Sequence, residues 1–180
     1  MKNQNTKKLA YAALFLALCL VLPMLTGQIP QIGSMLLPMH IPVLLCGLVC
    51  GWQYGAAVGF VAPLLRSVLF GMPPMYPVAI AMAFELLTYG LVIGLVYRRM
   101  AQKGAAGVYA ALLTAMVAGR LVWGVAGVVL LGLGGKAFTA QAFLAGALLN
   151  AVPGIIVQLV LIPAVMAALQ KAGAVKEYAE

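Results

Sequence analysis

A long stretch without charge limits what this chain can fold into more than any other feature. Between Lys8 and Arg66 lie 57 consecutive residues without Asp, Glu, Lys or Arg. Of all 180 residues, 65% are hydrophobic and 8% are charged, whereas a soluble domain usually carries about 25% charged residues. Water cannot be the main solvent of such a chain, so the sequence predicts an integral membrane protein.

Six apolar segments, separated by turns rich in glycine and proline, are candidates for transmembrane helices. A spanning helix needs about 20 apolar residues. The predicted spans are residues 8–26, 36–51, 54–71, 77–97, 106–132 and 141–169. The first span is expected to be retained, because no small-residue cleavage site follows it. We therefore predict an all-α membrane protein, a six-helix bundle that forms a single domain over residues 1–180.

The basic residues predict the orientation of this bundle. With six spans, the N-terminus, the 98–103 connection and the C-terminus lie on one side. That side collects eight of the eleven Lys and Arg residues, and the other has only Lys136. By the positive-inside rule, both termini are cytoplasmic. Because the basic residues flank the spans, and form no basic face with interleaved aromatics, a nucleic-acid partner is not expected.

Three charged residues lie inside the predicted spans: Arg66, Glu85 and Arg120. Each costs about 2.5–3.5 kcal/mol at a bilayer centre on insertion scales. One carboxylate cannot neutralise two guanidinium groups, so an anionic ligand is an economical partner for the remaining charge. The alternative is a purely structural ion pair between Glu85 and one arginine. The charge count favours a substrate with a carboxylate or a phosphate.

Polar residues from five different spans fall in the outer half of the bilayer when each residue is given a rise of about 1.5 Å. They are His40, Arg66, Glu85, Arg120 and Asn150. By the same estimate, the inner half of the bilayer contains almost no polar residue of this kind besides Gln158. This convergence predicts a binding pocket that opens to the outside.

Two aromatic residues accompany these charges, and two prolines flank the histidine. Tyr89 is one turn from Glu85, and Trp123 is three residues from Arg120, so each pair shares a helix face. They are candidate apolar walls for a ligand, with ordinary packing as the alternative. Pro38 and Pro42 enclose His40, and broken helices at membrane depth usually line a cavity. The alternative role for this histidine is to satisfy the freed backbone carbonyls.

Small residues recur at helical spacing. The pairs Gly47/Gly51, Gly55/Gly59 and Gly90/Gly94 allow close helix approach. Ala13 and Ala17 form a similar stripe beside the N-terminal lysines, where a partner protein could dock. The three cysteines are interpreted as buried small hydrophobes. Their spacing predicts no metal site, and no cofactor is expected.

Several of these segments resemble a known family. They are residues 7–10 leading into the alanine stripe, 37–44 (LPMHIPVL), 63–65 (PLL), 71–74 (GMPP) and 83–86 (AFEL). Over essentially its whole length, the chain resembles the S component, the substrate-binding subunit, of energy-coupling factor (ECF) vitamin transporters. The most similar branch includes pantothenate- and cobalamin-type S components.

The resemblance implies a vitamin-binding subunit in a prokaryotic plasma membrane. Ala13 and Ala17 would contact a transmembrane coupling (T) subunit, and two cytoplasmic ATPases would supply the energy. The vitamin would sit in the outer half, covered by residues 27–35 and 71–76. The chain itself has no phosphate-binding P-loop motif. Arg66 and Arg120 would engage an anionic group, which favours a pantothenate-like ligand.

Two other function classes are alternatives for this sequence. His40 and Glu85 could in principle carry acid–base chemistry, but no paired carboxylates, ligand cluster or motif-supported nucleophile accompanies them, so an enzyme is not expected. A self-sufficient small secondary transporter or channel is the other alternative. No evident internal repeat supports it.

Overall fold

The computed structural model describes residues 2–25, 35–135, 139 and 151–173, and every regular element in them is helical. The α-helices with described bounds are α1 (Lys2–Leu25), α2 (His40–Cys50), α3 (Trp52–Phe70), α4 (Ile80–Met100), α5 (Ala105–Leu133) and α6 (Val152–Lys171). A π-helical turn, Met75–Ala79, leads into α4, and a 3₁₀ turn, Ala101–Lys103, follows it. The predicted all-α class is confirmed.

Five of these helices are long and apolar enough to cross a membrane: α1, α3, α4 with its flanking turns, α5 and α6. The membrane class predicted from composition is therefore confirmed. The exception is α2, whose 11 residues extend over roughly 16 Å, about half of the ~30 Å hydrocarbon core.

The second predicted span, residues 36–51, is not one continuous helix. Leu37 has a φ of 50°, a left-handed conformation that is costly for a residue with a side chain. A turn follows, in which the His40 amide donates to the Leu37 carbonyl at 3.0 Å. Pro38 explains the break, because proline disfavours a helical conformation at the residue before it. As a result His40 occupies the first turn of α2.

The other spans agree with the helices to within a few residues, apart from the N-terminus of α1, which begins at Lys2 rather than at residue 8. The start of the sixth predicted span, 141–150, lies outside the described residues. Within the described part, α6 begins at Val152.

The first turns of α1 and the last turn of α6 lie at the same end of the bundle. The Gln170 side chain of α6 donates a hydrogen bond to the Tyr97 hydroxyl of α4 at 3.2 Å. Lys8 of α1 lines a cavity together with Tyr97 and Arg98. We call this the basic end, because Lys8 and Arg98 lie there. An even number of spans explains why α1 begins and α6 ends on the same side. The positive-inside rule predicts that this side is cytoplasmic.

Glycine contacts hold α3 against α4. A Cβ atom on Gly90 would overlap the backbone of Gly55, and one on Gly59 would overlap the Leu86 carbonyl. The glycine spacings on these two helices therefore mark close backbone approach, as predicted. Gly51 has a different role: with a φ of 96° it forms the turn between α2 and α3.

Gly90→Ala is expected to destabilise the protein by about 3 kcal/mol or more, because its Cβ would meet rigid backbone rather than a mobile side chain. Gly132→Ala is the matched control. No atom lies within 4 Å of a Cβ at Gly132, so its effect should stay within about 1 kcal/mol. Thermal unfolding of both variants in detergent measures the difference, and equal stabilities would contradict the close packing.

Candidate functional site

The periodicity of α4 places a carboxylate inside the bundle. Ala81, Glu85, Tyr89 and Ile93 recur every four residues, and all four are buried. Residues four apart share a helix face, so the face of α4 that packs in the core includes Glu85. A charged residue at this depth requires a partner.

That partner is Arg120 of α5. Its Nη1 atom lies 3.0 Å from Oε1 of Glu85, and the two side chains are 13% and 2% exposed. The sequence left open which arginine pairs with Glu85, and the structure identifies Arg120. Burial lowers the effective dielectric around this pair, so the attraction is stronger than on a protein surface.

His40 of α2 approaches the same carboxylate oxygen. Its Nε2 atom lies 3.4 Å from Oε1 of Glu85, an ion pair when the imidazole is protonated. The imidazole also meets the Tyr89 ring edge-on, with centroids 5.2 Å apart. Three helices thus place His40, Glu85, Tyr89 and Arg120 together. We call these four residues the polar cluster.

Tyr89 closes the cluster on the side that faces the basic end. It lies one turn further along α4 than Glu85 and is 2% exposed. A Cβ on Gly119 would overlap the Tyr89 ring. The missing side chain at Gly119 therefore makes room for the ring directly beside Arg120.

Several polar atoms of the cluster have no hydrogen-bond partner among the described residues. They are Nδ1 of His40 and Nε and Nη2 of Arg120. Nε2 of His40 and Oε1 of Glu85 also lack hydrogen-bond geometry, but they take part in the ion-pair contacts described above. Each unsatisfied buried group costs about 1–3 kcal/mol, and more when it is charged. Most buried polar groups in folded proteins are paired. The cluster therefore offers more hydrogen-bonding capacity than these residues use on one another.

Arg66 lies apart from the polar cluster. Its Nη1 donates to the Leu20 carbonyl of α1 at 2.5 Å, and its guanidinium carbon lies 5.3 Å from the centre of the Phe70 ring. The contact between Gly59 and Leu86 sets the register of α3 against α4. Counted from there, Arg66 lies about 10 Å from Glu85 along the helix axis, away from the basic end. A backbone carbonyl as partner leaves no mark in the sequence.

The other predicted site residues are Trp123, Asn150 and the two segments expected to cover the ligand. Trp123 lies on α5 within one turn of Arg120 and is half-buried. Asn150 and residues 27–34 of the predicted cover lie outside the described residues. In the second predicted cover segment, the Tyr76 hydroxyl donates a hydrogen bond to the Leu130 carbonyl and so links this segment to α5.

Gln158, which the sequence does not place with the other polar residues, lies near the start of α2. A Cβ on Gly154 would lie 2.6 Å from the Met35 carbonyl oxygen, which places the start of α6 beside the segment before α2. Gln158 follows one turn later. Because both helices run toward the basic end, it lies at about the level of His40. Gln158 is 1% exposed, and its Nε2 has no hydrogen-bond partner among the described residues.

These features define a class: a polytopic membrane protein with a buried charged cluster between its helices. The chain matches the family model of the ECF transporter substrate-specific component over residues 7–166, and it belongs to that family. No curated protein and no solved structure gives a significant match. The family assignment makes the chain a membrane-embedded, substrate-binding component of an uptake system. The family is a transporter component rather than an enzyme family.

Proposed function

We propose that this chain binds a small vitamin-like micronutrient with an anionic group, of which pantothenate is the favoured example. The observation that supports this most directly is the state of Arg120. Glu85 contacts its guanidinium through Nη1 only, while Nε and Nη2 have no hydrogen-bond partner among the described residues.

The geometry of arginine makes this informative. Nε and Nη2 form the side edge of the planar guanidinium, a pair of parallel donors that suits the two oxygens of a carboxylate or phosphate. Glu85 holds the group by its other amino nitrogen and so fixes its orientation. Since Glu85 already balances the charge of Arg120, a buried ligand anion needs further positive charge. A protonated His40 would provide it.

Other residues have supporting roles in the proposal. Gln158 and Asn150 would bond to hydroxyl or amide groups of the ligand, and Tyr89 and Trp123 would form its apolar walls. Arg66, nearer the end opposite the basic end, would raise the positive potential along the ligand's route into the site. The entrance would face the outside of a prokaryotic cell membrane, with the basic end in the cytoplasm.

Energy for uptake would come from partners. Ala13 and Ala17 are exposed on α1, on the same side as the exposed Leu14. Small residues of this kind let another helix approach closely. We propose that the coupling subunit of the ECF module docks here and connects the chain to two cytoplasmic ATPases.

Binding to the purified full-length chain tests the ligand assignment. Native mass spectrometry of protein purified without added ligand should reveal a bound small acid. Pantothenate should bind at least tenfold more tightly than pantothenyl alcohol, in which a hydroxyl replaces the carboxylate, a difference of about 1.4 kcal/mol. Equal affinities, or an uncharged co-purifying molecule, would contradict the anionic assignment.

A further inference from the structure

The charges of the polar cluster sum to zero when His40 is neutral. Glu85 supplies one negative charge and Arg120 one positive charge, with Nη1 of Arg120 3.0 Å from Oε1 of Glu85. His40 is the one histidine of the sequence and is 1% exposed. Because these side chains are buried between helices, a net charge among them lacks the solvation that water would provide. The neutral combination is therefore favoured before a ligand binds.

An anionic ligand changes that sum. Bound to the Nε and Nη2 edge of Arg120, it adds a negative charge to a cluster that has no positive charge in excess. A proton on His40 returns the sum to zero. A proton on Glu85 would do the same, but it would remove the carboxylate that holds Arg120 in its orientation. His40 is therefore the better acceptor for this proton.

The two ring nitrogens of His40 have different surroundings. Nε2 lies 3.4 Å from Oε1 of Glu85. Nδ1 is buried and has no hydrogen-bond partner among the described residues. Only a protonated imidazole carries a donor N–H on both nitrogens. Protonation would therefore let His40 donate to Glu85 through one nitrogen and to a ligand oxygen through the other.

The charges around His40 oppose its protonation until an anion is present. The described titratable or charged groups within about 10 Å of its level along the bundle are Cys19 of α1, Cys46 of its own helix, Tyr54 and Arg66 of α3, Glu85 and Tyr89 of α4, and Arg120 of α5. On α6, the side chain at this level is the neutral amide of Gln158. Glu85 favours a positive charge on the imidazole and Arg120 disfavours it. An anion bound to Arg120 would offset that second effect.

We propose that the binding of the anionic ligand is coupled to the uptake of one proton by His40. The proton comes from the solvent and adds to a ring nitrogen, and no bond of the ligand changes. The inference rests on the proposed function, because it assumes that the anion binds at Arg120. The liganded protein then holds one more proton than the free protein, so a rise in pH weakens binding. The ligand and its proton together enter the bundle without net charge.

Calorimetric titration of the full-length protein in detergent tests the coupling. Repeating the titration in buffers with different ionisation enthalpies gives the number of protons taken up. Between about pH 6 and pH 8, within the range where imidazoles change their charge, pantothenate should bind with an uptake that approaches one proton. Its affinity should fall at least tenfold over that range. Pantothenyl alcohol has no negative charge, so it should bind without proton uptake and with an affinity that changes less than twofold.

Two variants assign the proton. His40→Gln keeps a polar side chain that does not titrate, so it should bind pantothenate more weakly, with no proton uptake and no dependence on pH. Cys19→Ala is the matched control. It removes the thiol that is bonded to the Met39 carbonyl at 3.6 Å, directly before His40, and it should retain the uptake of the wild type.

The outcomes are distinguishable. Pantothenate binding without proton uptake would overturn this inference and leave the proposed function intact. Absence of pantothenate binding would overturn both. Uptake that persists in His40→Gln would assign the proton to another group and overturn the role of His40. The comparison of pantothenate with its alcohol in the wild type needs no variant, so equal proton uptake with both ligands would overturn the inference even if His40→Gln does not fold.

Discussion

Glu85→Gln should reduce ligand binding to an undetectable level and destabilise the protein by about 3–5 kcal/mol, the cost expected when one partner of a buried ion pair is removed. The reason is the position of Arg120, whose guanidinium is largely buried and has Glu85 as its carboxylate partner. Without that carboxylate the arginine is a buried, uncompensated cation and no longer has a fixed orientation. Thermal unfolding in detergent and pantothenate titration measure the two effects.

A double substitution separates stability from binding. Glu85→Gln/Arg120→Gln removes both charges, so it should recover most of the lost stability, because a buried pair can often be replaced at little cost. Binding should remain at least tenfold weaker than in the wild type, as in Arg120→Ala alone. Arg99→Gln, an exposed position on α4, is the control and should alter neither property. A double variant that binds pantothenate like the wild type would remove Arg120 from the site.

Tryptophan at both Ala13 and Ala17 should abolish uptake while the ligand affinity stays within twofold of the wild type. The two alanines are exposed in the isolated chain, so larger side chains there should not disturb the internal packing. They would instead hold a docking helix away, because small residues are what permits close approach. Uptake of labelled ligand by cells that contain the complete ECF module measures the first effect, and titration of the purified chain measures the second.

Val160→Trp is the control for this experiment. Val160 is an apolar residue on α6 with 66% exposure, outside the alanine stripe, so its replacement should leave uptake unchanged. If uptake persists in the double tryptophan variant, α1 is not the docking face. Failure of this prediction would leave the ligand assignment intact, because the two rest on different residues.

The sequence predicted the helices well because the membrane is a demanding solvent. Hydropathy and flanking basic residues are properties of the linear sequence, and they predicted both ends of α3 and of α5 to within two residues. Pro38 likewise marked the break before α2. The start of the sixth predicted span, residues 141–150, lies outside the described residues, so the length of that span stays a prediction.

The sequence could not predict which side chains of different helices contact one another. That Glu85 pairs with Arg120 rather than Arg66 depends on how α4 faces α5, which one chain without its fold does not disclose. The hydrogen bond from Arg66 to the Leu20 carbonyl could not be predicted either. Every residue has a backbone carbonyl, so the sequence does not indicate which one accepts a hydrogen bond from a side chain. The four polar-cluster residues were all among the candidates; their mutual contacts were not.

The glycine contacts on α4 have a consequence for affinity. A Cβ on Gly47 would lie 2.5 Å from Cγ2 of Ile93 and 2.8 Å from the Gly90 carbonyl oxygen, so α2 and α4 are closely packed at this point. His40 and Glu85 belong to these two helices and inherit their fixed separation. In the proposed site, the spacing of His40 and Glu85 would thus be preorganised before a ligand arrives, and little conformational entropy would be lost there on binding.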